Sequence, residues 1–222
     1  METIDEIMNT ARSVSDIIAD LKKKFVTVPL WISNDDKIPG LQEIYDAKLH
    51  PVMDKKKYND KTGKEGVIYV SRITSGLPKL AVRRLSQMCF GIPAKRIYKP
   101  KDDKEKKAAA ILESIFDHNR IDSVNLDRAK RLYAACEFVT IWYTQTVKTS
   151  YAGVGSEYKL RCRTYSPMDG AKLYPLFDDY DDMIAMSVEY TRMVNNVSTT
   201  YFETFTADTH KRWINRGNIW VD

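Results

Sequence analysis

The sequence predicts an α+β protein in which amino-terminal helices are followed by an antiparallel β meander of about five strands. Three observations carry that expectation. Apolar residues recur at three- and four-residue steps through residues 1–24, 76–92 and 108–135, the period of one helix face. The composition changes near Cys136, after which β-branched and aromatic residues dominate. Turn dipeptides then punctuate the chain, Asn195-Asn196 being the strongest hairpin signal.

Residues 1–24 read as one helix, with Ile4, Ile7, Ala11, Val14, Ile17 or Ile18, and Leu21 on a stripe. Asp5 and Glu6 lie at its positive end and Lys22, Lys23 and Lys24 at its negative end, as the helix dipole favours. Two partners fit this stripe equally: the helix's own domain or a neighbouring subunit. Residues 25–66 are irregular, broken by Pro29, Pro39 and Gly40, with one or two helical turns within 41–49. Residues 54–65 carry Lys55, Lys56 and Lys57 and read as an exposed loop; a solvated face explains the lysines better than a phosphate site. Gly63-Lys64 is no phosphate loop, because the upstream glycine and the following Ser or Thr are missing.

Residues 67–73 alternate weakly, as a short strand does. The best-delimited element is 76–92. Pro78 suits a first helical turn, Leu77, Ala81, Leu85, Met88 and Cys89 form the expected inner face, and Lys79, Arg83, Arg84 and Gln87 the outer one. Gly91 in a left-handed conformation and then Pro93 end it. A short strand is expected at 94–98. The next helix begins in the charged 100–107 stretch, buries Ala108, Ile111, Leu112, Ile115 and Phe116, and stops at His118-Asn119. Asp122 or Ser123 is the expected cap of a further helix to Ala135, with Leu126, Ala129, Leu132 and Tyr133 inward and Lys130 and Arg131 outside.

Residues 138–147 and 158–164 read as strands, the second alternating Tyr158, Leu160 and Cys162 with Lys159, Arg161 and Arg163. Turns at 167–170 and 178–182 and the Asn195-Asn196 hairpin complete the meander of residues 138–205. The tail, 206–222, adds a turn, an amphipathic element and an extended piece. Because it stops on an aromatic strand-like run, the chain is expected to be part of a longer protein.

The 222 residues carry a net charge of +5, with 43% hydrophobic and 29% charged residues of mixed sign. That permits a buried core and a nucleic-acid neighbour without demanding the latter. Cys89, Cys136 and Cys162 are odd in number and widely spaced, which suggests neither a disulfide framework nor a metal motif. The start is acid-bearing and lacks the apolar core of a secretory signal, and no run approaches a membrane span.

The residues that invite a chemical role have simpler explanations. His118 reads as a helix-terminal residue, and His50 and His210 lack triad partners. Asp178, Asp179, Asp181 and Asp182 lack the spacing of an oxygen-ligand metal site and read as a solvated turn. Lys159, Arg161 and Arg163 suit either phosphate contact or the polar face of a half-buried sheet. The sequence therefore names no catalytic, cofactor-binding or metal-binding residue, no cofactor and no individual nucleic-acid contact. An assembly protein is the first reading, a nucleic-acid-binding module using the basic strand and loop the second, and a phosphoryl-transfer enzyme using the aspartates near 180 the last.

Several phrases in order resemble one family. Leu77-Pro-Lys-Leu-Ala-Val-Arg-Arg followed by Phe90-Gly-Ile-Pro93, a helix and Asn-bearing turn (117–125), and a helix running into β structure (134–143) come first. Ser166-Pro167 and Phe205-Thr-Ala-Asp208 with Trp213 and Trp220 follow. This order is similar to the amino-terminal half of tailed-bacteriophage portal proteins of the siphophage type, over about residues 40–222. The resemblance implies a non-enzymatic ring of identical subunits, usually twelve, at one capsid vertex. DNA passes through it, a terminase pumps that DNA, and capsid and head–tail connector proteins contact the ring. It implies a place in the virion after assembly in the host cytoplasm, with no membrane partner. It divides the chain into an arm, 1–66, and a wing-like α+β domain, 67–222, with stem, clip and crown expected beyond it. Cys136 stands where the family often has glycine.

Overall fold

A computed structural model describes residues 4–9, 12–24, 44–53, 61–63, 66–68, 73–178, 180, 182–216 and 219–221. The architecture is α+β: helices, with one short two-stranded sheet between them, precede the larger antiparallel sheets. The chain forms two compact units, one from residues 1–38 with 165–222 and the other from 39–164.

In the first unit, α1 (Ile4–Asn9) and α2 (Val14–Lys24) replace the single expected helix. The Ser13 hydroxyl accepts the backbone N–H of Asp16 at 3.2 Å, so a capping residue inside the stripe starts a second helix. A five-stranded antiparallel meander follows: β5 (Lys172–Phe177), β6 (Met183–Val194), β7 (Val197–Thr206), β8 (His210–Arg216) and β9 (Ile219–Val221). Asn195 and Asn196 link β6 to β7 with φ of 50° and 62°, the paired left-handed geometry that twisted hairpins need.

One face of this sheet and the two helices make the core. Ile7, Met8, Ile17, Ile18 and Leu21 pack with Leu176, Ala185, Phe202 and Trp213. The Phe202 ring lies 6.0 Å from Trp213, 5.9 Å from Tyr174 and 6.4 Å from Trp220. Two lysines fasten the helices at their polar edge. Lys22 Nζ reaches Glu189 Oε2 at 2.5 Å and lies over the Phe202 ring, and Lys211 Nζ donates to the Met8 carbonyl at 2.6 Å. The amino-terminal stripe thus packs on its own domain, the first of its two expected partners.

The opposite face is also buried. Tyr190 stacks on Tyr201 at 5.2 Å and meets Tyr165 at 5.1 Å. Beneath them Glu203 accepts from the Tyr190 hydroxyl at 2.5 Å, with Arg212 Nε at 3.3 Å and His210 Nε2 at 3.4 Å. Burial and the adjoining carboxylate raise the Tyr190 pKa far above the usual phenol value.

The second unit holds β1 (Lys61–Gly63) paired with β2 (Gly66–Ile68), then α3 (Leu77–Phe90), α4 (Asp103–His118) and α5 (Ile121–Ala135). Strands β3 (Val139–Tyr151) and β4 (Val154–Tyr165) complete it as a separate two-stranded hairpin. The expected meander is therefore split. Its first two strands leave the five-stranded sheet, and the tail supplies β8 and β9 instead. Ala152 and Gly153, with φ of 48° and 81°, form the two-residue turn that closes the hairpin on itself. Residues 94–98, expected as a strand, have no regular structure; Arg96 there is drawn to Asp122 at 2.7 Å and Glu113 at 3.4 Å.

Capping also departs from expectation. Asp102 caps α4, its carboxylate accepting from Glu105 N at 2.7 Å while Glu105 accepts from Lys101 N at 2.6 Å. Neither Asp122 nor Ser123 caps α5; Arg120, at φ 49°, precedes it without a side-chain cap. Gly91 ends α3 at φ −71°, right-handed and not left-handed. A glycine is required there for space, since a Cβ would collide with the Gln87 carbonyl oxygen. Most of the expected lysine loop, including Lys55, Lys56, Lys57 and Lys64, lies outside the described residues, as do Pro29, Pro39 and Gly40.

Candidate assembly surface

Helix α3 packs on α5, and it does so with the face not expected. Val82 and Ser86 are buried, four residues apart, and Ser86 donates back to the Val82 carbonyl at 2.7 Å. The buried residues of α5 include Ala129, Ala134 and Ala135, and small side chains of this kind allow close helix approach. The stripe expected inside points out: Leu77 is 66% exposed, Leu85 44% and Met88 82%. Ile92, just beyond the helix, is 86% exposed. Helix α4 likewise has no buried residue, and Leu132 and Tyr133 of α5 are exposed.

Where the end of α3 meets α5 and β3, a hollow of about 420 Å³ opens. Phe90, Tyr133, Phe138 and Trp142 give it a largely aromatic lining, joined by Leu132, and Arg128 enters it from α5. The Arg128 Nη1 donates to Asn125 Oδ1 at 2.9 Å. Its Nε and Nη2 are shielded from solvent with no hydrogen-bond acceptor among the described residues. The carboxylates nearest along α5 are committed, Asp122 to Arg96 and Asp127 to Arg131 Nε, both at 2.7 Å. Cys89 Sγ sits 3.2 Å from Tyr133 Oη at the rim, a contact that raises the pKa of the phenol.

The hairpin is held to α4 by Asn119. Its amide donates to the carbonyls of Ile115 and Leu160 at 2.9 and 3.0 Å and accepts from Cys162 N at 3.2 Å. The Tyr151 hydroxyl accepts from Leu160 N at 2.9 Å, so side chains satisfy backbone groups of β4 that a further strand would otherwise seek.

The other singled-out residues fall in separate places. His118 Nδ1 lies 2.8 Å from the Ser114 carbonyl in the last turn of α4, and its ring meets Tyr151 edge-on at 5.3 Å. His50 Nδ1 accepts from Val52 N at 3.2 Å, and His210 stacks on Phe205 at 4.3 Å. Asp178 Oδ1 accepts from the N–H groups of Tyr180 and Asp182 at 2.8 and 2.9 Å, which makes it the organiser of its turn. Asp179 and Asp181 lie outside the described residues. Lys159, Arg161 and Arg163 are half-buried along β4, and Arg163 interacts with a neighbouring group. Among the described residues no three His, Cys, Asp or Glu side chains are grouped to hold a metal ion, and no helix is long and apolar enough to cross a membrane.

Arg128 carried no sequence signal, because one arginine in a basic helix looks solvated. The one available hint was its i, i+3 relation to Asn125, combined with the absence of an acidic residue at i±4.

An exposed apolar helix face beside a largely aromatic hollow is the kind of surface that partner proteins cover, and it marks the class of structural proteins rather than a reaction site. A family model described as phage portal protein, SPP1 Gp6-like, matches residues 34–221, most of the chain. The chain belongs to this family of phage portal proteins, whose role in the phage is structural. No curated protein matches it.

Proposed function

We propose that the chain is the subunit of a ring at one capsid vertex, the head–tail connector through which phage DNA is packaged and later ejected. Twelve copies is the expected number. Terminase, capsid and connector proteins are its partners in the virion, and assembly takes place in the host cytoplasm. Within the ring, residues 67–222 act as the wing.

The observation that carries this reading is the portal-family match across residues 34–221, read with the apolar surface left open in the second unit. Leu77, Met88 and Ile92 each expose well over half their surface, and burying such a side chain is worth about 1.5–3 kcal/mol. A closed ring covers such faces by joining two different patches of adjacent subunits.

Mass photometry and negative-stain electron microscopy of the complete gene product test the proposal. Closed rings of one stoichiometry are expected. A product that stays monomeric at micromolar concentration overturns it.

A further inference from the structure

We infer that the Arg128 hollow receives the turn between β5 and β6 of a second copy of this chain, with Tyr180 in the aromatic cavity and the Asp182 carboxylate on the guanidinium. This inference rests on the ring reading and names the contact within it.

The first support is charge. A guanidinium taken out of water needs acceptors, and each buried donor left unmade costs about 1–3 kcal/mol. Two Arg128 donors lack one, and the acids along the same helix are already paired. An acceptor from another segment would complete them. A carboxylate suits the planar fork of donors best.

The second support is shape. The hollow is walled by rings and large enough for one aromatic side chain, so its occupant combines a ring with an acid. One turn of this chain offers that combination. Tyr180 is 88% exposed, the most exposed of the large apolar side chains among the described residues. Asp182 sits two residues on, and its carboxylate has no partner among the described residues. Asp178 holds the turn through two backbone N–H groups, and its own N–H donates to the Asp182 carbonyl at 2.9 Å.

The third support is topology. Hollow and turn are different patches on one chain, so each copy gives one and receives one. That is a head-to-tail contact, the kind that propagates around a ring.

The test is disulfide trapping in the complete gene product. Met183→Cys, next to Asp182 and exposed, and Leu132→Cys are combined in a Cys89→Ser, Cys136→Gly, Cys162→Ser background and oxidised mildly. A ladder of covalently linked copies on non-reducing gels is expected, and neither single cysteine gives one. Charge exchange is the second arm. Arg128→Asp and Asp182→Arg should each raise the concentration needed for assembly at least tenfold, and the double variant should restore most of it. Circular dichroism verifies that each variant is folded, and the trapping arm stands if one is not. Absence of a ladder from proteins that still form rings overturns this contact and leaves the ring reading intact. Wild-type protein that forms no rings overturns both. Loss of DNA retention in Arg128→Asp with normal assembly and no ladder shows the occupant to be nucleic acid and overturns the inference.

Discussion

Cys136 joins α5 to β3 at φ 62° and ψ −3°, and its N–H donates to the Leu132 carbonyl at 2.8 Å. Left-handed backbone brings Cβ too near the adjacent carbonyl, at about 1–2 kcal/mol for any residue but glycine. The thiol is exposed, so its removal forfeits little packing. Cys136→Gly relieves the strain but adds freedom to the unfolded chain, at about 0.5–1 kcal/mol. The difference predicts a net stabilisation of about 0.5–1 kcal/mol, or roughly 1–4 °C in Tm for a chain of this size. Cys136→Ala keeps the Cβ and should stay near wild type. Cys136→Val, β-branched, should be less stable than either. Scanning calorimetry and urea unfolding of the three variants under reducing conditions make the comparison. Glycine and alanine variants of equal stability would refute the reasoning, since the two differ only in the atom held responsible.

Phe202→Ala should cost about 3–5 kcal/mol, because it empties the centre of the aromatic cluster, and urea unfolding reads the loss. Gly91→Ala forces a shift at the end of α3 and should destabilise by about 1–3 kcal/mol in the same assay. Tyr190 binds its proton more tightly folded than unfolded. The stability this adds is fully present below about pH 10, the unfolded phenol value, and is lost as pH rises toward the folded one. Denaturation measured from pH 8 to 11 should show that loss, with its slope reduced in Tyr190→Phe. Asp102→Ala should cost about 1 kcal/mol, with the earliest hydrogen exchange in the first turn of α4.

The fold was legible wherever a residue's local role coincided with its packing. Asn195-Asn196, the 167–170 turn with Gly170 at φ 75°, and the Asn119 terminus of α4 each act through their own backbone, and the sequence shows them. The inner face of α3 was not legible. Periodicity places Leu77, Leu85 and Met88 on one side but does not say whether this chain or another covers that side. The helix packs by its small residues, Val82 and Ser86, and leaves the large ones out. The division of the meander was hidden for a related reason. Whether β4 pairs with β5 depends on what occupies its edge, and Asn119, some forty residues upstream, partly fills that role. The Arg128 hollow was invisible because it consists of an unmet hydrogen-bonding need, which only coordinates reveal.

The first unit is built from both ends of the chain, residues 1–38 and 165–222, with the second unit made in between. During synthesis at about 5–20 residues per second, α1 and α2 leave the ribosome roughly ten seconds to half a minute before the sheet that shelters Ile17, Leu21 and Met8. Through that interval the nascent helices offer a greasy stripe to any chaperone or sister chain on the same polysome. A chain built in this order carries a hazard of timing, and slowed translation across the middle of its message should lower the yield of soluble protein.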